Sequence, residues 1–167
     1  MSRPEAFPVE SKRRLLHLVI EALEEELPRR EDELLAVVTA PEPAARPPRF
    51  DDWEPRLRMA LSELRENLKT LRDVGEALPE VTRREVEVFS VVRVESDGKT
   101  AHYFITPCAH RFEQVLALED TRVRAVHRTH ELVGLRRGGS YVTGASIEPH
   151  TLKVHGTPHL HRVVDVF

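Results

Sequence analysis

Apolar residues recur along the first half of the chain in steps of four and three. They fall at Leu16, Ile20, Leu23 and Leu27, skip one beat at Arg30, and resume in phase at Leu34 and Val38. That spacing aligns them on one face of a helix packed against a single partner. Ser11 is the expected N-cap, and Glu24, Glu25, Glu26, Glu31, Asp32 and Glu33 occupy the other faces. Pro28 lies inside the run, where it deletes a backbone hydrogen bond, so a kink or short break is expected near Leu27. A second run follows at Leu57, Leu61, Leu64, Leu68, Leu71, Gly75 and Leu78, again in alternating fours and threes. Between the runs stands TAPEPAARPPR, whose four prolines forbid a continuous helix and favour a stiff, extended connection. Two such segments joined by a short break are expected to fold back as an antiparallel hairpin, each burying the other's leucines. At 1.5 Å per residue, roughly 28 residues make an arm of about 42 Å.

After Pro79 the period shortens to two. EVEVFSVVRVE alternates apolar and polar positions, Asp97-Gly98 is a hairpin turn signal, and AHYFIT reads as the return strand. RFEQVLALED fits either a helical turn or a strand, and VRAVH is strand-like. THELVGLRRGG has the form of a short helix stopped by glycine, while SYVTGA, TLKVHG and HRVVDVF are further strands. The expected class is therefore α+β: a helical hairpin in residues 1–80 and a small antiparallel sheet with one short helix in residues 81–167.

Charge divides the chain in the same place. Residues 1–80 carry 13 Lys and Arg against 18 Asp and Glu, net −5, whereas residues 81–167 carry 12 against 10, net +2. Neither half is basic enough to bind duplex DNA by itself. The single cysteine, Cys108, forms no internal disulfide, and no apolar run reaches the ~18 residues of a membrane helix. With no secretory leader in evidence, a cytoplasmic location is expected. No Walker or GxGxxG loop is present.

Candidate chemistry concentrates at the bend. PPRFDDWEP, residues 47–55, places Asp51 and Asp52 between Phe50 and Trp53, with Glu54 next and Glu42 upstream. Aspartates there suit helix capping, and the aromatics suit a hydrophobic staple. In HTLKVHGTPHLH, His150, His155, His159 and His161 lack the cysteines and spacing of zinc fingers, so surface roles are favoured. Cys108 with His110 lacks a third group to orient a nucleophile and base. Arg122, Arg124, Arg128, Arg136 and Arg137 form a solvated face or a basic steering patch.

THELVGLRRGGSYVTG, residues 129–144, resembles a Ser-Pro-Leu-Gly, x, Ala-Leu-Leu-Gly, x, x, x-Gly-Asp segment of the bacterial Gre transcript-cleavage factors. Gly134 and Gly139 match its glycines, and Thr129, His130 and Glu131 replace Ser-Pro-Leu. AHYFITP is similar to that family's Tyr-x-Ile-Val-Gly strand through Tyr103 and Ile105. The family's tip sequence, Gly-Asp-Leu-Ser-Glu-Asn-Ala-Glu-Tyr, is absent.

The resemblance implies a coiled-coil hairpin followed by an FKBP-like head, acting as a transcription elongation factor. The head would bind RNA polymerase through Glu131, Leu132, Val133, Gly134, Leu135, Arg136 and Arg137. The hairpin would enter the secondary channel and bring Asp51, Asp52 and Glu54, or Glu42, to a Mg2+ of the polymerase active site. On this reading the chain has no active site, metal or cofactor of its own, works as a monomer, and meets nascent RNA or DNA only within the elongation complex. Without the family's tip, a channel-plugging inhibitor is the alternative. Two readings from other classes are a peptidyl-prolyl isomerase, whose pocket would draw on Phe89, Tyr103, Phe104, Phe112, Tyr141 and Phe167, and an adaptor that dimerises through its heptads.

Overall fold

A computed structural model of the chain describes residues 7–39, 53–75 and 77–167. Two helices, α1 (Val9–Val38) and α2 (Trp53–Arg72), precede a mixed β-sheet, which makes the class α+β. Along the helices, Leu15, Leu16, Val19 and Leu23 of α1 and Leu61, Leu64, Leu68 and Leu71 of α2 are buried. Ion pairs Arg72–Glu24 at 2.8 Å and Arg65–Glu31 at 3.1 Å fix the antiparallel sense, because a step of about one heptad down α2 matches the same step up α1. These exposed pairs set register more than they stabilise.

Three local expectations are corrected here. α1 begins at Val9 with Pro8 as N-cap, and Ser11 lies in the first turn with its N–H donating to the Pro8 carbonyl at 3.0 Å. The pre-organised φ of proline starts the helix without a side-chain cap. Of the kink or short break expected near Leu27, the break is what the structure overturns, since Val9–Val38 is helical throughout with Pro28 inside it. Pro28 is exposed, so water can satisfy the carbonyl that loses its amide partner. α2 ends at Arg72, and Gly75 is not part of the seam. Its φ of +73° places it in the left-handed region that ends helices, and Leu78 returns to pack on the core from outside the helix.

The sheet contains β1 (Val91–Ser96), β2 (Lys99–Ile105), β3 (Glu113–Leu118), β4 (Thr121–Val126), β5 (Ser140–Thr143) and β8 (His159–Val166). Their order is β3-β4-β2-β1-β8-β5, and β6 (Ser146–Ile147) with β7 (Val154–His155) forms a separate two-stranded ribbon. Asp97 and Gly98 link β1 to β2 with φ of +51° and +73°, the two left-handed residues that a tight hairpin turn requires. RFEQVLALED resolves as strand β3.

The sheet is mixed, not antiparallel. β4 pairs parallel to β2 because β3 forms the outer edge and turns back through Glu119 and Asp120 to insert β4 beside β2. The short helix expected in THELVGLRRGG is replaced by turns. His130, Val133 and Leu135 N–H groups each bond three residues back, then Gly134 at φ +89° bends the chain so that Gly134 N–H donates to the Val86 carbonyl and Val86 N–H to the Leu135 carbonyl. The same pairing explains why β1 starts only at Val91: residues 85–86 are engaged with 134–136, and Phe89 at φ +71° breaks the alternation.

Alternation along the strands gives each sheet face a core. Val91, Phe104, Val123 and Ala125 pack with Leu15, Leu16, Val19, Leu64, Leu68 and Leu71 on the helix side. Val92, Val94, Tyr103, Ile105, Val126 and Val163 pack with Val86 and Leu132 on the other. The first half of α1 is thus built into the sheet domain, and Lys12 Nζ donates to the Phe167 carbonyl at 3.1 Å. Asn67 of α2 grips the β2–β3 loop twice, donating to the His110 carbonyl at 3.1 Å and accepting from its N–H at 3.2 Å.

Candidate functional site: the far end of the helices and the sheet-domain cleft

Leu23 is the last buried residue of α1, and on α2 Glu63 reaches the head, at 3.8 Å from His110. From these points to Val38 and Trp53 the helices extend a further ~22 Å and ~15 Å at 1.5 Å per residue. Much of each helix is therefore anchored, and the projecting part is about half the 42 Å expected from the repeat.

Of the acidic residues assigned to the bend, Glu42, Asp51 and Asp52 lie outside the described residues. Glu54 sits in the first turn of α2, where its charge suits the helix dipole, and its Oε1 accepts two hydrogen bonds from Arg58, at 2.8 and 2.9 Å. Trp53 is about half exposed. Farther down, Arg30 bridges Glu26 and Glu33, which leaves Glu25 and Asp32 as exposed carboxylates without an ion pair among the described residues.

The head residues separate into distinct roles. Leu132 is wholly buried, Val133 and Leu135 pack at the edge of the same core, and Gly134 supplies the bend. Only Glu131, Arg136 and Arg137 are both charged and exposed. Arg136 lies 4.0 Å from Glu85, and Arg137 lies 3.7 Å from the buried Asp165, which also pairs with Arg93. The basic set is dispersed rather than gathered, since Arg124 instead pairs with Glu113 at 3.1 Å.

On the sheet face away from the helices a cleft of about 670 Å³ collects residues from β2, β3, β4, β5, β8 and the 127–131 loop. Tyr103, His130, Tyr141 and His161 form a ring-to-ring wall, with successive centroids 5.6, 5.9 and 4.7 Å apart. Burial lowers the affinity of His130 for a proton, helped by His127, and burial with the neighbouring Tyr103 raises the Tyr141 phenol. Of the aromatics considered for an isomerase pocket, Phe89, Phe104 and Phe167 instead face the helices, leaving Tyr103, Phe112 and Tyr141 at the cleft.

The histidine tract disperses. His155 meets Glu148 at 3.3 Å, His159 meets Asp97 at 2.9 Å, and His161 bonds the Thr143 hydroxyl at 2.6 Å. Among the described residues no three His, Cys, Asp or Glu side chains gather as a metal site. Cys108 is buried, and burial pushes its thiol up to about 11. His110 turns away from it, to 2.5 Å from Glu66. No described helix is long and apolar enough to cross a membrane. The cleft was missed in the sequence because its members come from five strands and a loop. Tyr103 stands between His102 and Phe104, and Tyr141 between Ser140 and Val142, so neither marks a site by its local pattern.

No protein-family model matches the chain, and no curated protein matches it. Among solved structures it is similar to Thermus aquaticus Gfh1 at 17% identity and TM-score 0.35, covering 94% of each chain. It is also similar to GreA factor homolog 1 (Gfh1) of Thermus thermophilus at 17% identity and TM-score 0.33, covering 89% of this chain and 94% of that one. A third structure, of the transcription factor Gfh1, gives 16% identity and TM-score 0.34 with 99% of each chain covered. With agreement this low, the functional reading rests on the residues of this chain.

Proposed function

We propose that the chain is a Gre-type transcription elongation factor that binds RNA polymerase, with residues 1–80 as a coiled-coil hairpin and residues 81–167 as an FKBP-like head. The hairpin enters the secondary channel, and Asp51, Asp52 and Glu54 are presented at the polymerase active site. Bound there, a Mg2+ held partly by these carboxylates would stabilise the attacking and leaving oxygens of phosphodiester hydrolysis. The factor would act as a monomer and contribute ligands, not an active site of its own.

The observation that supports this most is the polarity of the helix pair. One end is built into the sheet domain through Lys12, Leu15, Leu16 and Asn67, while the other ends, at Val38 and Trp53, project beyond it. A grip and a prong on one body are what delivery into a channel needs. Glu54 favours a second version: with Oε1 already bonded to Arg58, it offers a metal one free oxygen, and a blunted tip of this kind would plug the channel and slow synthesis.

The test uses stalled elongation complexes and follows RNA 3′ ends with the full chain added. Shortening that disappears in Asp51→Ala/Asp52→Ala establishes delivery, and slowed extension without shortening establishes the plug. Failure to retain core polymerase on the immobilised chain would remove both.

A further inference from the structure

The cleft on the far sheet face shares only Glu131 with the residues assigned to polymerase binding, and its chemistry is specific. Tyr141 and His161 are stacked, with an interplanar angle of 16°, while His130 stands edge-on to Tyr141 at 87° and Tyr103 is tilted 41° to His130, so the stacked pair supplies the flat surface and His130 a polar edge beside it. His130 Nδ1 accepts the Leu132 N–H at 3.1 Å, which puts the proton of the neutral ring on Nε2 as a donor. Arg111 makes no ion pair among the described residues and lines the cleft. Arg124 gives one N–H to Glu113 and holds its guanidinium 6.0 Å from the Tyr103 ring centre, which leaves further donors free. Glu131 is a lining carboxylate with no ion pair among the described residues, able to accept from a hydroxyl or amino group.

We propose that this cleft binds a nucleotide, its base on the stacked Tyr141–His161 pair beside the His130 edge and its phosphate on Arg111 and Arg124. A bare anion would use the arginines and waste the wall. A cationic ligand could meet Glu131 but would leave Arg111 facing a like charge. An apolar peptide would leave Arg111, the His130 N–H and Glu131 desolvated without partners. A planar base joined to an anion through a hydroxyl-bearing sugar uses every group, and a volume of about 670 Å³ falls in the range of small-molecule sites. Stacking with cationic support is also how single-stranded nucleic acid is held, so a free nucleotide and the terminal nucleotide of an RNA share this chemistry.

The test titrates the isolated full chain, without polymerase, with adenosine 5′-monophosphate while following the imidazole NMR signals. Saturable shifts of His130 and His161 are expected. Affinity should fall about tenfold for adenosine or ribose 5-phosphate, each of which lacks one half of the recognition. Arg111→Gln, at an exposed position, should cost a similar factor with signal dispersion retained, whereas Lys99→Ala, outside the cleft, should cost nothing. Oligo(A) binding tighter than the monophosphate assigns the site to an RNA end, and weaker binding assigns it to the free nucleotide. No shift of either histidine at millimolar monophosphate, or equal affinity for adenosine, or an unchanged affinity in Arg111→Gln, overturns the proposal.

Discussion

Lys12 gives the sharpest test of how the helices join the sheet. It stands in the first turns of α1, only 7% exposed, with its amine on the Phe167 carbonyl. Burial, assisted by Arg83 and opposed by Glu87, lowers its pKa from 10.5 to about 8. The drop corresponds to ~3 kcal/mol, at 1.36 kcal/mol for each tenfold change in proton affinity. The sign follows from proton counting. Below pH 8 the amine is charged in both states, and the folded state carries the full penalty. Between about pH 8 and 10.5 the unfolded chain binds the extra proton, so stability rises with pH. Cys108 acts oppositely, because a thiol raised to about 11 makes stability fall from about pH 9 to 11.

Comparing wild type with Lys12→Met cancels the thiol and isolates the lysine. Urea unfolding at a series of pH values should show the variant more stable near pH 7 by ~1–2 kcal/mol, once a lost hydrogen bond worth ~1 kcal/mol is subtracted. The difference should shift by ~3 kcal/mol in favour of the wild type between about pH 8 and 10.5, so that it reverses sign within that window. A difference that stays constant with pH would mean that the amine is not buried, and that the first turn of α1 does not dock on the end of β8.

Three further outcomes follow from the same interface. Leu68→Ala should lose ~2–5 kcal/mol by urea unfolding, since Leu68 is fully buried where α2 meets the sheet, and a loss under 1 kcal/mol would place it on a yielding surface. Asn67→Ala should cost ~1–3 kcal/mol and speed hydrogen exchange at the His110 amide, which loses its acceptor. Cys108 should resist a thiol reagent at pH 8 until urea unfolds the chain, and rapid labelling of the native protein would contradict its burial.

What the sequence disclosed was whatever local physics decides. The Asp97-Gly98 turn, the return strand through Tyr103 and Ile105, and the Leu61, Leu64, Leu68 and Leu71 seam of α2 depend on neighbours in the chain, and each could be read directly. On α1, by contrast, only Leu16 and Leu23 of the expected seam are buried, Leu15 and Val19 are buried beside them, and Val38 is exposed. What it concealed was set by distant partners. β4 beside β2 in parallel needs β3 to swing to the edge, and the turn at 131–134 exists because Val86 requires partners there. At the candidate sites the acidic bend was visible as composition, but the cleft was not, because Arg111, His130, Tyr141 and His161 become neighbours only after the sheet curls.

The anchoring of α1 has a mechanical consequence that periodicity alone could not disclose. A 4,3 repeat says that a face is buried, not whether a helix or a sheet covers it, and Leu15, Leu16, Val19 and Leu23 are covered by both. Swinging the helices away from the sheet would expose these four side chains, at ~1.5–3 kcal/mol each, together with Phe104 and Val123 beneath them. That amounts to most of the stability of a domain of this size. The pair must therefore move with the sheet as one body. Any larger partner that grips the sheet domain fixes where the far end of the helices points, and a substitution that loosens this core should impair delivery before it impairs binding.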